Sequence, residues 1–92
     1  MSALELAQSL IKIKSISPKD GGCFDLIEAE LIPLSFQIEK IPELNCETLL
    51  AKYGDSGKVF CYLGHTDVVP SGPEEEWTSH PFEANIVDGE LI

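Results

Sequence analysis

Gly64-His65-Thr66-Asp67 is the segment of this 92-residue chain best equipped for chemistry. An imidazole can give a metal ion one ring nitrogen while a nearby carboxylate accepts the N–H of the other. That second bond fixes the tautomer and makes the ring a stronger ligand. His65 is therefore a candidate metal ligand, and Asp67 the candidate catalytic-site residue that orients it. Gly64 permits close backbone approach, and Val68-Val69-Pro70 stiffen the loop beyond. The pattern is short, and a histidine beside a strand serves packing as readily as coordination. A zinc site also needs at least three protein donors. On local chemistry the segment is a candidate metal site and no more.

Other reactive side chains read more plainly. His80, in a Ser-His-Pro-Phe loop, reads as a surface residue without a ligand role. Glu74, Glu75 and Glu76 read as a solvated acidic face rather than a cation site. Trp77 and Phe82 read as a packing clamp on a long loop rather than a platform for substrate.

The elements that must position His65 follow from periodicity. Ser2 with Glu5 three residues on has the form of a capping box. Behind it Leu4, Leu6, Ala7, Leu10, Ile11 and Ile13 recur at helical spacing, predicting a helix through about Lys14. Ser15-Ile16-Ser17-Pro18 stops it, because a residue before proline avoids the α conformation. A second helix starts near Asp20 or Gly22, buries Phe24, Ile27 and Leu31, and ends at Pro33. From Phe36 the period becomes two, predicting a half-buried strand through Phe36 and Ile38, and Thr48 to Tyr53 form a second strand. Residues 59–63 are continuously apolar, as in a strand covered on both faces, and His65 lies just past its end. In open α/β sheets ligands gather beyond the carboxyl ends of strands. Asp88-Gly89 predicts a two-residue hairpin turn between residues 84–87 and 90–92. The element order predicts an α/β domain with helices packed on a mixed sheet, incomplete as it stands, since two helices cannot cover both faces of the apolar strand.

Composition narrows the partners. Sixteen acidic residues against six lysines, with no arginine, give a net charge of −10. Such a surface repels nucleic-acid phosphates and anionic lipid, and attracts divalent cations. Cys23, Cys46 and Cys61 are odd in number and form no C-x-x-C pair, which favours free thiols in a reducing compartment. The N-terminus lacks the basic start of a signal peptide, and no apolar run approaches a membrane span, so the expected location is cytoplasmic.

Longer motifs sharpen the reading. The run from Gly64 to Gly72, followed by Trp77-Thr78-Ser79, Pro81-Phe82-Glu83 and Asp88-Gly89-Glu90-Leu91, resembles the N-terminal part of the succinyl-diaminopimelate desuccinylase family. That family lies in the dizinc superfamily of aminoacylases, acetylornithine deacetylases and glutamate-type carboxypeptidases. Ser15-Ile16-Ser17-Pro18 and Gly22-Cys23 extend the resemblance over nearly the whole chain and tilt it toward the desuccinylases.

The resemblance implies that His65 binds one zinc of a pair, for which cobalt can substitute, and that Asp67 orients His65. It implies that residues 1–92 are the first portion of a zinc-peptidase-like catalytic domain. The bridging aspartate, the catalytic glutamate, the other ligands, the substrate-binding arginines and a dimerisation domain would all lie beyond Ile92. The expected substrate is a small N-acyl amino acid, N-succinyl-LL-diaminopimelate, hydrolysed for diaminopimelate and lysine biosynthesis by a homodimer. Thr48 and Leu50 stand where relatives often carry asparagine and tryptophan, Ser35 replaces a common glycine, and His80 a common proline. These departures leave open a related deacylase, such as an acetylornithine deacetylase or an aminoacylase. A non-catalytic interaction module is the alternative of a different class.

Overall fold

Local signals in the sequence set most of the element boundaries in a computed structural model that describes residues 1–92. Helix α1 spans Ala3–Ile11. Its start is set by Ser2, whose Oγ accepts the Glu5 N–H at 3.1 Å and donates to the Glu5 carboxylate at 3.1 Å. The helix stops three residues short of Lys14. Its end tightens as Ile13 N–H bonds the Leu10 carbonyl at 3.1 Å, and the backbone of Ser15 is diverted to a distant partner, Val68.

Helix α2 spans Cys23–Leu31. Asp20 satisfies its exposed amides, with carboxylate oxygens accepting Gly22 N–H at 3.1 Å and Phe24 N–H at 3.2 Å. The chain enters α2 through Gly21 (φ 67°), where a Cβ would lie 2.9 Å from Ile13 Cγ2, so only glycine fits without displacement. Pro33 ends α2 as expected, and the chain continues as one 3-10 turn, Ile32–Leu34. That turn closes at Ser35 in the left-handed region (φ 69°), a conformation that glycine adopts at lower cost.

Strands β1 (Gln37–Glu43) and β2 (Cys46–Lys52) form an antiparallel hairpin, paired from Gln37↔Lys52 to Glu43↔Cys46. Pro42 is tolerated because a two-stranded ribbon has only edge strands. Both strands run further toward their turn than periodicity indicated. The turn is Leu44-Asn45, with Leu44 at φ 56°, and it carries no glycine to announce it. Asp88 (φ 51°) and Gly89 (φ 80°) make the expected second turn, between β3 (Ile86–Val87) and β4 (Glu90–Leu91).

Three expectations fail. Phe24, Ile27 and Leu31 of α2 are half-buried rather than buried, and only Cys23 of that helix is fully covered. The mixed sheet is replaced by two separate two-stranded antiparallel sheets, and the one parallel pairing is an isolated bridge between Ile16 and Val68. Residues 59–63 have no ladder partner, and they are exposed rather than covered: Val59 92%, Phe60 81%, Tyr62 91%, Leu63 97%. Within the segment Phe60 and Tyr62, two residues apart, stack edge to face at 5.0 Å. A strand needs a neighbour to accept and donate its ladder bonds, and neither hairpin pairs with this segment.

Only Cys23, Ala84 and Ser15 are buried, so the chain encloses almost no core of its own. Its accessible surface is 7386 Å², against roughly 5,300 Å² for a folded chain of this mass. Its radius of gyration is 15.5 Å, against about 12 Å for a compact domain of this length. No helix is long and apolar enough to cross a membrane.

Candidate functional site

The His65 loop is held from the other end of the chain. Leaving α1, residues 15–17 run beside residues 66–68. Ser17 N–H donates to the Val68 carbonyl at 2.9 Å, and Val68 N–H to the Ser15 carbonyl at 3.0 Å. Ser15 Oγ donates to the Thr66 carbonyl at 2.8 Å, and Ser15 is only 2% exposed. Helix α1 is itself anchored near β3 through Gln8 Nε2, which donates to the Ala84 carbonyl at 3.1 Å.

On this support His65 and Asp67 meet. His65 Nδ1 lies 3.0 Å from Asp67 Oδ1 and 3.0 Å from the Asp67 carbonyl oxygen. Both partners are acceptors, so Nδ1 carries the proton, and the Nε2 lone pair is left for another partner. The imidazole is 82% exposed. The Asp67 carboxyl is held below its ordinary range, first by the Ser17 hydroxyl beside it and then by His65, while partial desolvation opposes both. It is an anion at neutral pH, which is the state that accepts an imidazole proton.

His65 and Asp67 line a groove of about 390 Å³ that also takes in Phe24 and Ile27 of α2 and Glu47 and Leu49 of β2. A half-apolar wall facing a polar lip suits a small ligand with a charged end. No three histidine, cysteine, aspartate or glutamate side chains converge to hold a metal ion. With Nδ1 bonded to Asp67 and Nε2 open, His65 is disposed as a single metal ligand would be, and a zinc site needs at least three protein donors.

The other candidates serve structure. His80 is tied at both ring nitrogens: Nε2 lies 3.1 Å from Glu74 Oε2, and Nδ1 accepts Phe82 N–H at 3.2 Å. Trp77 Nε1 donates to the Ser71 carbonyl at 2.9 Å, closing the loop on itself. Lys14 Nζ sits 5.6 Å from the centre of the Phe82 ring. All three cysteines are free. The residue that local reading missed is Ser15, which periodicity had marked only as a helix stop. Its contact lies 51 positions away, so no local pattern signals it.

The geometry defines an α/β segment that presents a carboxylate-oriented histidine at the lip of a groove. Comparison with known proteins makes this specific. No protein-family profile matches the chain. Succinyl-diaminopimelate desuccinylase of Hydrogenovibrio crunogenus is 51% identical over 83 residues, 90% of this chain and 22% of the relative. The Thiobacillus denitrificans desuccinylase is 48% identical over 96% of this chain and 22% of its own length. That of Dechloromonas aromatica is 44% identical over 98% and 24%. The chain belongs, as an N-terminal segment, to the succinyl-diaminopimelate desuccinylase family. It spans less than a quarter of the length of these relatives.

Proposed function

We propose that this segment forms the first portion of the catalytic domain of a metal-dependent amide hydrolase that converts N-succinyl-LL-diaminopimelate and water to succinate and LL-diaminopimelate. The observation that carries the reading is the His65–Asp67 pair, preorganised at a groove in a chain whose relatives bear the desuccinylase name. The proposed resident metal is zinc, one ion of a pair, with cobalt able to replace it. His65 would hold that ion through Nε2. Bound zinc supplies Lewis acidity, which polarises an amide carbonyl and acidifies water.

The residues present here do the positioning. Asp67 takes the Nδ1 proton of His65 into a fixed bond, so the ring cannot flip to its other tautomer or rotate away from the groove. Phe24, Ile27 and Leu49 give the groove an apolar wall beside that ring, which keeps bulk water from solvating the whole of a bound acyl chain. The general base, the remaining donors and the groups that recognise the substrate carboxylates belong to the rest of the polypeptide. A cytoplasmic homodimer is the proposed setting, consistent with the free thiols and with the greater length of the relatives.

Steady-state assay of a full-length desuccinylase carrying this segment tests the proposal. Turnover of N-succinyl-LL-diaminopimelate is expected to exceed that of N-acetylornithine, to disappear on chelation and to return with zinc or cobalt. The isolated 92 residues are expected to show no turnover above a His65→Ala control, since they lack a general base and a complete donor set. Preference for the acetylated substrate would redirect the assignment to a related deacylase. Metal-dependent turnover by the isolated segment would overturn the division of labour.

A further inference from the structure

We infer that Ser15 is a positioning residue for the His65–Asp67 pair, setting the backbone of Asp67 so that its carboxylate meets the imidazole. This rests on reading His65 as a metal ligand. Ser15 grips both peptide groups that flank Asp67. Its hydroxyl donates to the Thr66 carbonyl at 2.8 Å, and its own carbonyl accepts Val68 N–H at 3.0 Å. Those two peptide planes define φ and ψ of Asp67, and so the direction in which its side chain leaves the backbone. The same torsions place the Asp67 carbonyl, which lies 3.0 Å from His65 Nδ1 as the second acceptor.

Of the two grips, the carbonyl of Ser15 could come from any residue. The hydroxyl could not. Ser15 is also the one buried polar residue of the chain, and no buried side-chain polar atom lacks a partner. Without the hydroxyl, no other protein group donates to the Thr66 carbonyl, so that peptide gains freedom to rotate. The imidazole is 82% exposed and donates to no protein group other than Asp67. An error in the Asp67 torsions therefore passes directly to the ring.

The test uses a full-length desuccinylase carrying this segment, with the variants Ser15→Ala, Ser15→Cys and His65→Ala. Zinc affinity is read by competition with a chromogenic chelator, kcat and KM by steady-state assay, and folding by thermal melting. Ser15→Ala is expected to melt near wild type while binding one zinc about tenfold more weakly, the low end for groups that orient a ligand. Its kcat at limiting zinc should fall with KM unchanged. Ser15→Cys keeps the shape with a poor donor and is expected to behave as the alanine variant does. If Ser15→Ala does not fold, Ser15→Cys decides alone. Wild-type zinc affinity and kcat in either folded variant would overturn the role of Ser15. Should His65→Ala retain both zinc ions, the reading of the metal site itself falls, an outcome separate from any result at Ser15.

Discussion

Replacing His65 with alanine in the full-length enzyme is expected to remove one metal ion outright and to lower kcat/KM by at least about 10³-fold. The size follows from what a metal contributes. Lewis-acid stabilisation of developing charge is worth several kcal/mol, and each 1.36 kcal/mol is about tenfold in rate. His80, the other imidazole of the segment, cannot take its place, because both of its ring nitrogens are engaged by Glu74 and Phe82. Asp67→Ala should separate coordination from orientation. The ring remains, but Nδ1 loses its carboxylate acceptor at 3.0 Å. Metal affinity is then expected to fall on the order of 10–100-fold, as for other groups that hold a ligand in place, with a strong loss of turnover. Metal analysis of the dialysed proteins, with rates at saturating and limiting zinc, checks both. Unchanged metal content and rate in Asp67→Ala would remove Asp67 from the site.

The second large effect concerns the segment in isolation, which is expected to self-associate rather than remain a cooperative monomer. Val59, Phe60, Tyr62 and Leu63 are each at least 81% exposed. Covering one large apolar side chain is worth roughly 1.5–3 kcal/mol, while a typical domain is stable by only about 5–15 kcal/mol in all. Cys23 and Ala84 are the only buried apolar residues, too few to compensate. The backbone of residues 59–63 makes no backbone hydrogen bonds of its own and is open to pairing with any strand that approaches, including one from a second copy. Sedimentation velocity with dye binding measures this. Heterogeneous, dye-binding assemblies are expected. A compact monomer that binds no dye and melts in one sharp transition would show that the segment stabilises itself.

Legibility in the sequence tracked the distance over which each signal acts. The Ser2–Glu5 cap, the Pro33 helix stop and the Asp88-Gly89 turn depend on neighbours a few positions apart, and each lies where local chemistry puts it. The His65–Asp67 contact, two residues apart, was equally readable. The hairpin of β1 and β2 was underestimated because Leu44 adopts a left-handed turn conformation without being glycine. Residues 59–63 carry the pattern of a covered strand, but pairing and coverage belong to whatever packs on them, and nothing within these 92 residues does. Ser15 was misjudged for the same reason. Its importance lies in a hydrogen bond to a residue 51 positions away.

The central claim is that Asp67 fixes the Nδ1–H tautomer of His65 so that Nε2 faces a metal. Anomalous diffraction at the zinc edge, on crystals of a full-length desuccinylase carrying this segment, tests it most directly. A zinc peak within coordination distance of His65 Nε2, with the Asp67 carboxylate on Nδ1, is the expected result. A fully loaded metal site that His65 does not touch, or a metal bound through Nδ1 with Asp67 displaced, would contradict it.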